Sequence, residues 1–527
     1  MSKLNRNEEV ILEYVTLHNI VTTSEIADNT SVPVRTVQRA LAKLVKLEFI
    51  ETQGHTRDRT YKRVFSATDS TLKLSVFSSG ILVGELQYGN GEYTFEYDLD
   101  YKGESFEGIE ADKINRSVEL FAYFENLIPE SKRRERLLLG KEDIADILRE
   151  LNNSHGALDF VPKHKLFEYK PQYGRRENWI SVRSKILSDN SFPNLLEVEV
   201  QIDEEILDAT ANTEHSDLSG YQIKVDVDID FKKGIITESD SAEYLLKPRN
   251  KKKSNYFNAD DDGTNRYYPY IAINEHLFMT FAKNELGFNV PYTGIVKAKD
   301  VDFHYVTKRY DRIDGLKYNQ VDFAQVLGVK SDNKYKKSSE ELFRALDKKL
   351  SFKEEKLVAI KFYYYSYLIK HADLHLKNIG ALEIGNKKYI LAPLYDLISV
   401  GVYKGDSWDL GLGMSEPIKK PKNWKMDDFY KLAKIIGITE LMFKKEARNI
   451  TDIFIKEMPK YIKRLEHFEK DHPLPMQKTR MLGSYKGLAL KIDNMFKERI
   501  ISLKKLGFIE ELNLVEESGG LLSVQRT

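Results

Sequence analysis

Hydrophobic positions recur at helical spacing over the first fifty residues and then change period. Val10, Ile11, Tyr14 and Val15 fall on one side of Glu9 to His18, the pattern of an amphipathic helix. Thr23-Ser-Glu-Ile-Ala opens a second helix on a Thr/Ser capping signal. Thr30-Ser-Val-Pro-Val opens a third, with Ser31 able to cap and Pro33 tolerated in the first turn. This helix runs to about Glu48, and Val34, Val37, Leu41, Leu44 and Val45 are expected to face a core. Phe49 to Gln53 and Thr60 to Phe65 read as two strands around a turn at Gly54. Residues 72–100 alternate apolar with polar between glycine turns, which predicts a β-meander. Helical patterns follow from Ser117 to Leu151, and residues 155–246 are mixed, with strands near Tyr221–Asp230 and Tyr244–Lys247. From Asn274 onward helices are expected to dominate, apart from short strands near Gly294–Val296, His304–Thr307 and Lys388–Ala392. Two helical stretches, about 425–470 and 475–512, close the chain before a ten-residue tail. The charged stretch 249–269 reads as a loop without chemistry.

Composition narrows the classes open to this pattern. A length of 527 residues predicts three or four modules. Cysteine is absent, which excludes disulfides, thiolate catalysis, iron–sulfur clusters and Cys-type zinc sites. The first residues hold no apolar signal core, and no apolar run reaches the roughly 18 residues of a spanning helix, so a soluble, cytoplasmic protein without a membrane partner is expected. Lys+Arg and Asp+Glu are both 81, and this zero net charge disfavours a uniformly polyanion-coating protein. The charge is nevertheless partitioned. Val32 to Phe65 holds eight basic and three acidic residues, a local net of +5. Arg35, Arg39, Lys43 and Lys46 recur along the polar face of the third helix with Thr36 and Gln38 beside them, and Arg57, Arg59, Lys62 and Arg63 lie in the hairpin. Three helices followed by a two-stranded wing form a winged helix-turn-helix pattern, in which the helix reads the major groove and the wing meets phosphate. The other reading of the same residues is a solvated face of a small interaction domain. A homodimer is compatible with the pattern, because winged helices often read palindromes.

The sharpest chemical signal is His371-Ala-Asp-Leu-His-Leu-Lys-Asn378, which follows an aromatic-rich helix. If the segment were a strand, His371, Asp373 and His375 would share one face and could serve a metal hydrolase. Alternatively, His, Asp, Leu and Asn match the kinase catalytic loop H-R-D-L-x-x-x-N at all four spacings, with Ala in place of Arg. The kinase reading demands a second carboxylate after a strand, and Tyr389-Ile-Leu-Ala-Pro-Leu-Tyr-Asp396 supplies it. The hydrolase reading lacks an evident further His/Asp pair nearby.

His371 to Asn378 followed by Ala392-Pro-Leu-Tyr-Asp-Leu-Ile-Ser399 resembles the HipA family of bacterial toxin Ser/Thr kinases. Other segments resemble that family in the same order over about residues 72–510: Gly80-Ile-Leu-Val-Gly-Glu-Leu, Leu120 to Glu130, His155-Gly-Ala-Leu158, Leu218-Ser-Gly-Tyr-Gln-Ile-Lys224, Tyr244-Leu-Leu-Lys-Pro248, Asn274-Glu-His, Gly287 to Pro291 and Lys308-Arg-Tyr-Asp-Arg312. The resemblance implies ATP and Mg²⁺ as cofactors, with Asp373 as the base that takes the substrate hydroxyl proton and Asn378 and Asp396 as metal ligands. It implies a nucleotide loop of Ser219, Gly220, Tyr221, Gln222 and Lys224, with Lys247 on the phosphates; Glu275, on the following helix, is inferred to be the ion-pair partner that orients Lys247. Lys308, Arg309 and Tyr310 would meet adenine through backbone groups, and His375 and Lys377 would lie near the phosphates. Two departures stand out: Lys308 replaces the family's hinge Glu, and Asp217 occupies the position of a self-phosphorylated Ser, which leaves Ser216 or Ser219 as alternatives.

The expected architecture is α+β. Residues 1–66 would form the winged helix, 72–165 a HipA-like N-terminal subdomain, 166–310 a kinase N-lobe-like region and 311–515 a helical C-lobe. The expected function is γ-phosphate transfer from ATP to a protein hydroxyl, as the toxin of a toxin–antitoxin-type system whose fused DNA-binding domain regulates it. The family's pattern suggests a translation factor such as an aminoacyl-tRNA synthetase as substrate, and an antitoxin as a further partner. The alternative is a DNA-binding regulator whose kinase-like region only senses nucleotide.

Overall fold

The structure is a computed structural model, and its α/β content is mixed. It describes residues 5–18, 21–30, 32–47, 49–54, 59–63, 72–89, 91–128, 144–149, 154–174, 178–187, 190–203, 207, 224–239, 241–249, 268–299, 302–403, 408–415, 418–419, 422–474, 487–516 and 522–524. The chain divides into two compact units: residues 1–128, 137–151 and 158–171 form the first, and residues 129–136, 152–157 and 172–527 the second.

In the first unit, helices α1 (Arg6–His18), α2 (Thr23–Thr30) and α3 (Val34–Lys46) alternate with strands β1 (Val21–Thr22), β2 (Ile50–Gln53) and β3 (Thr60–Arg63). The strands form an antiparallel sheet in the order β1-β3-β2. Ile11, Val15, Ile26, Val37, Leu41, Leu44 and Ile50 fill one apolar core. Two details differ from expectation. The cap of α2 is Thr22, one residue earlier: its Oγ1 accepts from Glu25 N while Glu25 Oε2 accepts from Thr22 N. Val34 is 49% exposed, because α3 begins there and its inward face starts only at Val37. Ser31 lies outside the described residues.

The same unit continues as a five-stranded antiparallel sheet in the order β7-β6-β5-β4-β8, built from β4 (Leu72–Ser78), β5 (Ile81–Gly89), β6 (Glu92–Tyr97), β7 (Asn115–Ser117) and β8 (Leu158–Pro162). Phe95, Phe124 and Phe160 pack at its centre. Of the helical stretch expected from Ser117 to Leu151, the described residues hold helices at Ala122–Glu125 and Ala145–Leu148, and residues 129–143 lie outside them.

The second unit opens with a seven-stranded mixed sheet in the order β10-β12-β11-β13-β15-β14-β9. Its strands are β9 (Leu195–Leu196), β10 (Glu199–Gln201), β11 (Val225–Asp230), β12 (Ile235–Glu238), β13 (Tyr244–Lys247), β14 (Thr293–Lys297) and β15 (Phe303–Lys308). The helix Ile271–Asn284 follows β13 and is buried over nearly its whole length. The helices Ser339–Lys349, Lys353–Leu368, Met426–Ile435, Glu440–Asp471 and Leu488–Lys505 form the rest, with a small antiparallel sheet of Gln320–Asp322, Gly380–Glu383 and Tyr389–Leu391 among them. Two of these three strands were not expected. Lys353–Leu368 buries Tyr363, Tyr364, Tyr365 and Tyr367, and three of the phenols find partners in Ser339, Thr451 and the Phe278 carbonyl. The expected tail contains a strand, Leu522–Val524, paired with Leu514–Glu516. Among the described residues no helix is long and apolar enough to cross a membrane.

Candidate functional site

Lys247 is the last residue of β13, and the sheet register sets it opposite Tyr305, whose ring centroid lies 5.2 Å from Nζ. Its ammonium is 4% exposed and donates to both Glu275 oxygens, at 2.6 and 2.8 Å, and to Asp396 Oδ1. Lys224, just before β11, donates to Asp396 Oδ2 at 3.2 Å. Two ammoniums therefore face two carboxylates drawn from four separated stretches of chain. Burial works against charge on Lys247, Glu275 and Asp396, and for Lys247 and Asp396 the opposite charges win. Asp396 and Glu275 hold Lys247 protonated above its ordinary range, and Lys224 and Lys247 hold Asp396 well below the carboxylate range. Glu275 is pushed up, because its burial and the nearby Asp396 outweigh the pull of the lysines.

The helix Ile271–Asn284 ties this cluster together. Glu275 meets Lys247, and the adjacent Asn274 grips the loop after Asp396: its Nδ2 donates to Ser399 O at 3.1 Å and its Oδ1 accepts from Ser399 N at 3.0 Å. Asp396 itself has φ of 55°, a left-handed conformation that Asp tolerates better than most residues.

The segment 371–378 leaves the tyrosine-rich helix through Lys370, at φ 52°, and His371 N donates to Ser366 O at 2.9 Å. His371 is fully buried, which lowers its pKa to about 4 and keeps it neutral. His375 is also buried and is pushed well below its ordinary range by burial and by Lys334. Asp373 accepts from Tyr335 Oη, and Asn378 Nδ2 reaches Asp373 O at 3.4 Å. Lys377 Nζ donates to Ser331 Oγ at 3.2 Å, and its carbonyl accepts from Tyr395 Oη at 2.8 Å. The stretch is a loop ending in a short 3₁₀ turn, Leu376–Asn378. That removes the strand geometry a hydrolase-type His-x-Asp-x-His face would need.

Lys308, Arg309 and Tyr310 are largely spoken for. The amide of Lys308 donates to Tyr292 O and that of Arg309 to Glu243 O, while Tyr310 O accepts from Trp179 Nε1. The Arg309 side chain lies in a buried clamp, not in an open pocket edge. It donates to both Asp311 oxygens at 3.0 Å and to Asp226 at 3.0 Å. Arg312 reaches Asp311 Oδ2 at 2.9 Å and Gly156 O at 3.0 Å. Gly156 N donates to Asp311 Oδ2 at 2.9 Å, and at φ 75° a Cβ there would sit 2.6 Å from Gln320 O. The His155-Gly-Ala motif is thus a backbone fitted to an Arg–Asp–Arg network. Ser219, Gly220, Tyr221, Gln222 and Arg57 lie outside the described residues. Tyr335 carries no sequence signal of its own; Asn274 and the Arg309–Asp311–Arg312 stretch lie in recognisable motifs, but their roles as loop clamp and buried network were not legible there.

In the first unit, Arg35, Gln38 and Arg39 are exposed on α3, Thr36 is half-buried, and Arg59 is exposed beside β3. Lys43 is instead drawn onto Glu8 of α1, at 2.7 Å.

A mixed sheet carrying a buried lysine–carboxylate pair, followed by helices and an Asp/Asn loop, defines a kinase-like arrangement. Residues 216–462 match the family model of the HipA-like C-terminal domain. A Haemophilus influenzae protein named “Putative kinase” is 33% identical over 152 residues, covering 26% of this chain and 43% of its own. A Sinorhizobium fredii protein named “Putative kinase Y4dM” is 26% identical over 267 residues, covering 47% and 60%. The chain thus spans about half the length of the curated relatives it matches. Among solved structures, a chain of the Shewanella oneidensis toxin–antitoxin complex of HipA, HipB and operator DNA superposes with a TM-score of 0.56 at 19% identity, over 84% of this chain and all of that one. The fold is HipA-like.

Proposed function

We propose that this chain is an ATP- and Mg²⁺-dependent protein serine/threonine kinase of HipA type. The reading is carried by one observation: the buried Lys247 and Glu275 meet the partly exposed Asp396 and Lys224 in one charge cluster, in the same unit as the Asp373–Asn378 loop. Lys247 and Lys224 offer positive charge to phosphate oxygens, and Glu275 keeps Lys247 oriented when Asp396 turns to another partner. Asp373 accepts the proton of the acceptor hydroxyl. Asn378 and Asp396 supply hard oxygen donors of the kind Mg²⁺ takes when phosphates and water complete its shell. The bound ion would neutralise charge on the transferred phosphoryl group. Among the described residues no cluster of three or more His, Asp or Glu side chains could hold a metal by itself.

The first three helices and their hairpin are, in the same reading, a winged helix that binds DNA, with Arg35, Gln38 and Arg39 toward base edges and Arg59 toward phosphate. A toxin role, an antitoxin partner and a translation-factor substrate follow from the family resemblance. The test is transfer of labelled γ-phosphate by the wild type and by Asp373→Asn. The wild type should label itself or a protein in a cell lysate, and the variant should lose at least about 100-fold in rate. A wild type that labels nothing sinks the reading.

A further inference from the structure

Residues 331–335 touch the loop 373–377 at four places that the roles above leave unused. Tyr335 Oη donates to Asp373 Oδ1, and the Tyr335 ring stands edge-on to His375, with centroids 5.0 Å apart at 80°. Leu376 N donates to Lys334 O at 3.4 Å, and Lys377 Nζ to Ser331 Oγ at 3.2 Å. The segment is firmly held. It starts with the 3₁₀ turn Ser331–Asn333 and runs into the helix Ser339–Lys349, whose first turn is locked by a reciprocal Ser338–Glu341 capping box. On the other side, neither ring nitrogen of the buried His375 has a hydrogen-bond partner among the described residues. Packing alone therefore fixes its ring, and Tyr335 supplies one of the packing faces.

We propose that Tyr335 is a positioning residue for Asp373, a reading that rests on the phosphoryl-transfer function above. A carboxylate on an unsupported loop rotates about its last bond, and misplacement by an ångström is costly in a transfer reaction. The phenol pins one oxygen and so fixes the carboxylate plane that an acceptor hydroxyl must meet.

Tyr335→Phe keeps the ring against His375 and removes only the hydroxyl. In the full-length protein it should lower kcat about tenfold while leaving KM for ATP within about twofold. An unchanged kcat would overturn the positioning role while leaving the kinase reading intact. If the wild type transfers no phosphate, the kinase reading fails, and a second measurement still decides the contact. The Asp373 carboxyl carbon, identified in ¹³C-aspartate-labelled protein by its loss in Asp373→Asn, should change its chemical shift at a fixed pH in Tyr335→Phe, because its hydrogen-bond donor is gone. An identical shift in the two proteins would refute the proposal.

Discussion

Lys247 holds its charge 4% exposed because two carboxylates reach it, so removing it strands Glu275 without its ammonium. Lys247→Met should destabilise the fold by about 3–5 kcal/mol in urea unfolding, the usual cost of breaking a buried pair from one side. Adding Glu275→Leu should recover most of that loss, since the stranded carboxylate and not the lost attraction is the main penalty. A double variant no more stable than the single one would show that the stranded Glu275 carboxylate is not the main penalty. The lysine and its strand could be recognised in the chain, because Tyr244-Leu-Leu-Lys-Pro248 is a local pattern. The pairing with Glu275, 28 residues away, was expected as well; that Lys247 is also shared with Asp396, 149 residues away, could not be, because nothing local encodes a second carboxylate at the same ammonium.

The helix Ile271–Asn284 carries three consecutive functional positions, Asn274, Glu275 and His276. The third is a buried histidine whose protonation is linked to folding. His276 Nε2 accepts from Asn194 N at 3.0 Å, its Nδ1 meets Thr293 Oγ1 at 2.8 Å, and burial lowers its pKa from 6.5 to about 3. A group whose pKa is depressed by folding adds stability that is fully present above the unfolded value. That stability is lost as pH falls from 6.5 toward 3. His276→Gln should therefore flatten the pH dependence of the melting temperature in that window, and a parallel fall in both proteins would remove His276 from the account. At α3 the exposed face is separable from the buried one. Arg35→Ala or Arg39→Ala should weaken specific DNA binding by about 1–3 kcal/mol if each reads a base. Lys43→Ala should cost less binding, because Lys43 is already paired with Glu8. Equal losses at all three positions in a salt titration would contradict this division. Element type was readable here from Val37, Leu41 and Leu44; the lysine's diversion to α1 was not, since it depends on how two helices pack.

At the scale of the whole molecule, charge is divided between regions: residues 32–65 carry +5 in a chain of zero net charge. If nucleotide and DNA functions share one chain, operator binding can be compared with and without ATP in wild type and Asp373→Asn. Binding that responds to ATP equally in both would favour a nucleotide sensor. Binding that changes only in the wild type, with phosphate incorporated, would favour regulation by the kinase. The amino-acid order by itself determined the helix and strand periods, the basic face of α3, the His371–Asn378 loop and the carboxylate at Asp396, because each is written in neighbouring residues. Tertiary structure alone decided the rest. It brought Lys224, Lys247, Glu275 and Asp396 into one cluster, buried Arg309 in the clamp around Asp311, and set Tyr335 against Asp373. These are long-range contacts whose energy depends on burial and on which opposite charge is within reach, and neither quantity exists until the chain has closed on itself.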